Sequence, residues 1–187
     1  LRRSRGLGDV YKRQIKNNSM VNLSKEDSDR AFKESKIIQK ALNNYSKFLV
    51  PDLNFISPVE GVISSRYGKK RYINNQPRSP HLSLDIAAAE GTKIISPSKG
   101  EVILVGDFFY SGNFIVIDHG FGLISTYSHL SSVLVKENEF IKKGQKIGEV
   151  GSTGRVTGPH LHWTVYLNKV RINPESIIQE NFLEGLL

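Results

Sequence analysis

The stretch that most constrains this chain is Gly158-Pro159-His160-Leu161-His162-Trp163. Two imidazoles at i and i+2, with apolar residues between and after them, fit a strand. Successive strand side chains point to opposite faces, so His160, His162 and Thr164 line one surface while Leu161, Trp163 and Val165 line the other. On a helix the two histidines would diverge. Pro80-His81-Leu82-Ser83-Leu84-Asp85-Ile86 alternates in the same way, with His81, Ser83 and Asp85 on one face and Leu82, Leu84 and Ile86 on the other. Pro77 and Pro80 argue against a helix there. If the two strands become neighbours, their nitrogen and oxygen donors form one site.

A chain of 187 residues holds one domain of ordinary size plus an appendage. Its 16 glycines and 24% charged residues suit a globular protein with many turns. No run of about 18 apolar residues occurs, so no membrane span is expected in this segment. The absence of cysteine excludes disulfides and thiolate zinc sites. The net charge of +8 is concentrated at the start: residues 1–14 carry five arginines and lysines against Asp9 alone, which leaves +4 for the rest. No nucleic-acid partner is expected from that remainder. Asp9-Val10-Tyr11-Lys12-Arg13-Gln14 also reads as the translation of a transposon-end sequencing adapter, so residues 1–14 are set aside as an artefact. An upstream region, with any signal peptide or anchor, is then missing.

Residues 15–50 read as a linker, Ile15 to Leu23, followed by an amphipathic helical arm. Ser24 can cap the helix, Glu26 and Asp27 suit its positive end, and Ala31, Ile38, Leu42, Tyr45 and Leu49 recur at helical spacing until Pro51. From Phe55 the pattern changes to short strands separated by turn signals, the mark of an all-β sandwich or barrel. The expected strands are Gly61 to Ser65, Leu82 to Ile86, Thr92 to Ser96, Gly100 to Gly106, Phe114 to His119, Gly122 to Leu130, Lys146 to Val150 and His160 to Leu167. Ser152 to Gly158 forms a polar, glycine-spaced loop able to wall a groove. It lacks the setting of a phosphate-binding loop. The division is thus 1–14, 15–50, a domain over 51–175, and a tail over 176–187.

Zinc takes nitrogen and oxygen donors tetrahedrally, and a catalytic site keeps one position for water. His81 and Asp85 supply two ligands, and His162 is the choice for the third. A zinc-bound water has its pKa lowered to about 7. That leaves His129 and His160 to move the proton and to donate to the oxyanion of a tetrahedral intermediate. His160 is preferred as the base. Tyr127 shares the parity of His129 on its strand and is expected to support it, whereas His119, in a turn, reads as structural.

The combination of H-x-x-x-D, Y-x-H-L and G-P-H-L-H-W resembles the lysostaphin/LytM-type zinc metallopeptidases, over roughly Phe55 to Pro174. The resemblance implies a small antiparallel β sandwich with an open groove, of the duplicated hybrid motif kind, preceded here by an α-helical arm. It implies a metalloendopeptidase acting on peptidoglycan peptides in the periplasm or outside the cell, with one zinc ion on His81, Asp85 and His162 and with His129 and His160 catalytic. Ser83 departs from the glycine usual in H-x-G-x-D. The rival readings are a non-hydrolytic binding or amidase-activating module, which the intact ligand set disfavours, and a lipoyl, biotinyl or phosphohistidine carrier, which would not need Asp85 beside its histidines.

Overall fold

In this computed structural model, residues 10–13 and 22–178 are described. Ser24 caps α1 (Lys25–Leu42) by accepting the Asp27 N–H at 3.0 Å. The helix ends at Leu42, short of the expected stop at Pro51. The Asn43 N–H closes the last turn, and the Asn44 side chain leaves the helical path to donate to Asp118 Oδ2 at 2.7 Å. Asparagine favours such local exits over continuation. Tyr45 instead meets Phe121 edge-on, and the Ser46 carbonyl accepts the Phe121 N–H. Most of the expected linker, 15–21, lies outside the described residues.

The strands are β1 (Val10–Arg13), β2 (Val62–Ser65), β3 (Lys69–Ile73), β4 (Gln76–His81), β5 (Leu84–Ala87), β6 (Lys93–Ile95) and β7 (Gly100–Phe108). There follow β8 (Gly112–Gly120), β9 (Leu123–Val133), β10 (Phe140–Ile141), β11 (Lys146–Val150), β12 (His160–Leu167) and β13 (Val170–Ile172), then the short helix α2 (Glu175–Ile178). The main sheet runs β10-β7-β8-β9-β12-β5-β2, with β11 beside β9 and β6, and β13 beside β12. All of its pairings are antiparallel. β4 and β1 flank β3 in a small separate sheet, and β1 runs parallel to β3. The expected antiparallel β fold with its helical arm is what the chain adopts.

Every expected strand is present, and β1, β3, β4, β10 and β13 join them, β1 lying in the segment set aside as an artefact. β3 is three-fifths lysine and arginine, and β4 contains Pro77 and Pro80. β4 pairs only with β3, and on such an edge a missing N–H costs little. Their connection is Asn74-Asn75, both at positive φ, the two-residue turn that matches strand twist; Asn168-Lys169 joins β12 to β13 in the same way.

Alternation along β8, β9 and β12 divides the sheet into two faces. Ile115, Ile117, Tyr127, Leu161, Trp163 and Val165 enter the main core with Leu84 and Ile86. Each such large side chain, fully buried, contributes roughly 1.5–3 kcal/mol. On the other face Phe114, Val116, Ile124 and Tyr166 form a second cluster, closed by Leu42 and Ile38 of α1. Glu34 of α1 also accepts the Phe109 N–H at 2.6 Å, which ties the helix to the β7–β8 hairpin. This second face therefore has an apolar end under the helix and a polar end beyond it.

Candidate functional site

The polar end is built where β12 lies between β5 and β9. His162 stands opposite Asp85 on one side and Ser128 on the other. Asp85 Oδ1 is 2.7 Å from His162 Nδ1 and 3.0 Å from His81 Nε2, and one ligand atom from each of the three residues lies within 4.8 Å of the others. His81 and Asp85 do not share one strand face, as the alternation suggested. His81 closes β4, the chain bends at Ser83, and Asp85 belongs to β5. Prolines confine β4 to an edge strand, so the motif spans two sheets.

The Ser83 hydroxyl is 2.7 Å from Thr164 Oγ1, so a neighbour on β12 takes up its added polarity. Burial opposes ionisation of Asp85, but the attraction and hydrogen bonds of His162 and His81 outweigh it and hold the carboxyl far below the usual carboxylate range. For His162, burial dominates over Asp85 and lowers its proton affinity. An imidazole that resists protonation, His162, beside a carboxylate that remains ionised, Asp85, has the charge states a metal ligand set needs. His81 Nδ1 lies 3.3 Å from the Arg66 carbonyl, so its N–H has an acceptor and Nε2 keeps its lone pair for the site. Two nitrogens and one carboxylate, convergent, with His81 and Asp85 buried and His162 half-buried, fit zinc with one position left for water.

His129 and His160 stand beside this set. Their rings are 5.0 Å apart, and His129 is 5.7 Å from His162. His160 Nε2 lies 3.9 Å from Asp85 Oδ2. Strand parity places His129 with Tyr127, yet the two part company: Tyr127 is wholly buried in the main core against Ser125, and it does not support His129. The cause is a bulge. Ser128 and His129 together oppose the single residue Phe114 of β8, and His129 has φ +70°, which turns its side chain back to the site face.

The glycine-spaced loop does wall the site. The Thr153 carbonyl accepts from His129 Nδ1 at 2.9 Å, and the Gly158 carbonyl accepts from His160 Nδ1 at 2.8 Å. One loop thereby sets the tautomer of both rings. It packs backbone to backbone on the β7–β8 hairpin at Gly112 and Gly154, both at positive φ. A Cβ on Gly112 would lie 2.2 Å from Thr153 Oγ1. Burial, with the charges of His162 and His160, pushes the proton affinity of His129 well down.

His119 is structural, as expected, though it sits in β8, not in a turn, and bonds Lys99 and Ser125 far from the site. The cavity over the site measures about 270 Å³, and its wall includes Arg71, Arg155 and Arg171. Arg71 and Arg171 escaped the sequence reading because β3 and β13 lack an apolar alternation to mark them.

Three comparisons bear on this arrangement. The model of peptidase family M23 matches residues 79–174, which hold all five site residues. Peptidoglycan DD-endopeptidase ShyA of Vibrio cholerae is 38% identical over 112 residues, 59% of this chain and 26% of that protein. The chain thus spans about a quarter of that relative's length. Among solved structures, a peptidase M23 from Pseudomonas aeruginosa superposes with TM-score 0.73 at 40% identity, covering 82% of this chain and 63% of that one. A zinc-containing peptidase from Vibrio cholerae gives TM-score 0.58 at 32% identity, covering 74% and 40%. The resemblance read from the motifs, the antiparallel fold and the family match agree: the chain belongs to peptidase family M23.

Proposed function

We propose that this chain is a zinc-dependent endopeptidase that hydrolyses peptide bonds in bacterial peptidoglycan, with the 51–175 segment as its catalytic domain. The observation that carries the reading is the convergence of His81, Asp85 and His162 beside His129 and His160 in one cavity. The relatives named as DD-endopeptidases support the substrate class. His81 Nε2, Asp85 and His162 Nδ1 would hold one zinc ion. When bound, such an ion lowers the pKa of a coordinated water toward 7 and polarises a carbonyl oxygen.

The remaining work belongs to the chain's own side chains. His160, held by Gly158 with Nε2 facing Asp85, accepts the proton released as the peptide carbonyl is attacked, and returns it to the leaving amine. His129, fixed by Thr153 and lying beside His160 and His162, stabilises developing negative charge once its Nε2 has taken up a proton. The Ser152–Gly158 loop and the β7–β8 hairpin orient the peptide. An enzyme with this substrate works in the cell envelope.

The test combines elemental analysis with turnover of a crosslinked muropeptide, with and without a chelator. Wild type is expected to hold about one zinc and to lose turnover on chelation. His162→Ala loses zinc and activity, whereas His160→Ala keeps zinc and loses activity. Wild-type protein that takes up no zinc when zinc is supplied refutes the reading in favour of a binding module.

A further inference from the structure

Three residues, Phe109-Tyr110-Ser111, join β7 to β8, and each is bonded to a different part of the molecule. The Phe109 N–H donates to Glu34 Oε2 of α1 at 2.6 Å. The Tyr110 carbonyl accepts the Arg155 N–H at 3.0 Å, and the Arg155 guanidinium lies 4.0 Å from the Tyr110 ring centroid. The Ser111 carbonyl accepts the His129 N–H at 2.7 Å. One short turn therefore holds both the loop that anchors the His129 and His160 rings and the bulged backbone that aims His129. Glu34 holds that turn from outside. Its bond to Phe109 is of the charge-assisted kind, about twice as strong as a neutral one. The carboxylate is itself fixed, because Oε1 accepts from Arg30 Nε at 2.6 Å and the Arg30 guanidinium lies 5.7 Å from the Phe109 ring centroid. Ile38, one helical turn further on, lines the catalytic cavity with Tyr110 and Ser111.

We propose that Glu34 is a positioning residue for the peptidase, setting the place of His129 through Phe109 and the turn, so that the helical arm is a working part of the catalytic unit. The inference rests on the peptidase reading above and deepens it. The matched family segment begins at residue 79, and α1 lies wholly before it. Glu34 touches neither the reacting atoms nor the ligand set. His81, Asp85 and His162 come from β4, β5 and β12, so a turn that loses its tether displaces His129 and leaves the metal ligands in place. A shift of about 1 Å in a catalytic group costs rate steeply.

The test has a structural arm and a kinetic arm. In zinc-free protein, amide hydrogen exchange followed by NMR compares the His129 and Arg155 N–H groups with that of Trp163, which sits in mid-sheet between β5 and β9. In Glu34→Ala the exchange of the first two, relative to Trp163, is expected to rise about tenfold, the scale of one lost hydrogen bond to a charged group. With zinc supplied, kcat on a crosslinked muropeptide falls on the order of tenfold, while KM stays within about twofold and zinc content is unchanged. Glu34→Gln keeps an oxygen for the Phe109 N–H and restores most of both losses. Glu26→Gln removes a negative charge from the exposed first turn of the same helix and behaves as wild type. Unchanged relative exchange in Glu34→Ala overturns the tether, whatever the protein's activity. Faster exchange with kcat intact overturns the positioning role. Glu34→Gln as impaired as Glu34→Ala, or Glu26→Gln equally slow, overturns the assignment to the Phe109 bond. Wild type that takes up no zinc and leaves the muropeptide uncut overturns the peptidase reading itself.

Discussion

His119 makes the stability of this fold depend on pH in a calculable way. The ring is wholly buried against Phe55, its Nδ1–H donates to the Lys99 carbonyl at 2.7 Å, and its Nε2 lies 2.8 Å from the Ser125 hydroxyl, which in turn meets the Tyr127 hydroxyl at 2.8 Å. A carbonyl only accepts, so the ring is the Nδ1–H tautomer and Nε2 accepts from Ser125. Protonating Nε2 would bury a charge and break that chain. Burial accordingly pushes the pKa down to about 4, against the bond to Lys99, from an ordinary value of 6.5. Above pH 6.5 neither folded nor unfolded chain carries this proton, and the group contributes no pH dependence. Between 6.5 and 4 the unfolded chain binds the proton and the folded chain does not, so stability falls with falling pH. The integrated loss is roughly 3 kcal/mol by pH 4. Trp163, the sole tryptophan and fully buried, reports unfolding by fluorescence. Urea titrations on chelated protein at pH 7.5 and 4.0 should show His119→Gln less stable than wild type at pH 7.5. That gap should close, or reverse, by roughly 3 kcal/mol at pH 4.0, because the other titrating groups are common to both proteins. A gap of the same size at both pH values would falsify the assignment of a buried, neutral His119.

Two further changes probe the loop over the site. Thr153 Oγ1 accepts the Asn113 N–H at 3.0 Å and donates to the Leu130 carbonyl at 2.9 Å, so Thr153→Val should cost about 1–3 kcal/mol in a denaturant titration. Because the adjoining carbonyl orients His129, kcat on a muropeptide should also fall, on the order of tenfold, with zinc content unchanged; an unaltered kcat would show that the loop does not position the ring. Gly112→Ala combines left-handed backbone with overlap on Thr153, and should lower stability by at least about 2 kcal/mol. An unchanged thermal midpoint would mean that the hairpin and the loop are not packed backbone to backbone.

Where side-chain chemistry and backbone period agree, the sequence was sufficient. Along β12 the polar and apolar sets separate cleanly, so Leu161, Trp163 and Val165 go to the core and His160 and His162 go to the site. The start of α1 was equally legible, because Ser24 and the acidic first turn satisfy the free backbone donors there. Its end was not, since Tyr45 and Leu49 continue the helical spacing while Asn43 caps the last turn and the Asn44 side chain finds its partner, Asp118, outside the helix. The β3–β4 hairpin was invisible for a similar reason. Its stability comes from the turn at Asn74-Asn75 and from pairing along one edge, and neither leaves an apolar alternation to read.

The two places where alternation misleads, Ser83 and His129, are the two places where the site is assembled. A regular strand sets same-face side chains about 6–7 Å apart, which suffices for His160 and His162 but crowds in no third or fourth group. The bend at Ser83 brings His81 back from the hairpin onto Asp85, and the bulge at His129 places two consecutive residues on the site face, both lining the cavity. A functional site is where local pattern and global geometry are expected to conflict. In the mechanism proposed above, the same geometry orders the proton transfers. Both His129 and His160 spend their Nδ1–H on loop carbonyls, so each presents a lone pair at Nε2. Each ring must therefore take up a proton there before it can donate one. His160 lies next to the Asp85 carboxylate, which stabilises an imidazolium, whereas His129 has two other imidazoles at its side. That difference is why the proposed mechanism takes His160 as the first acceptor, and it follows from which strand carries which ring.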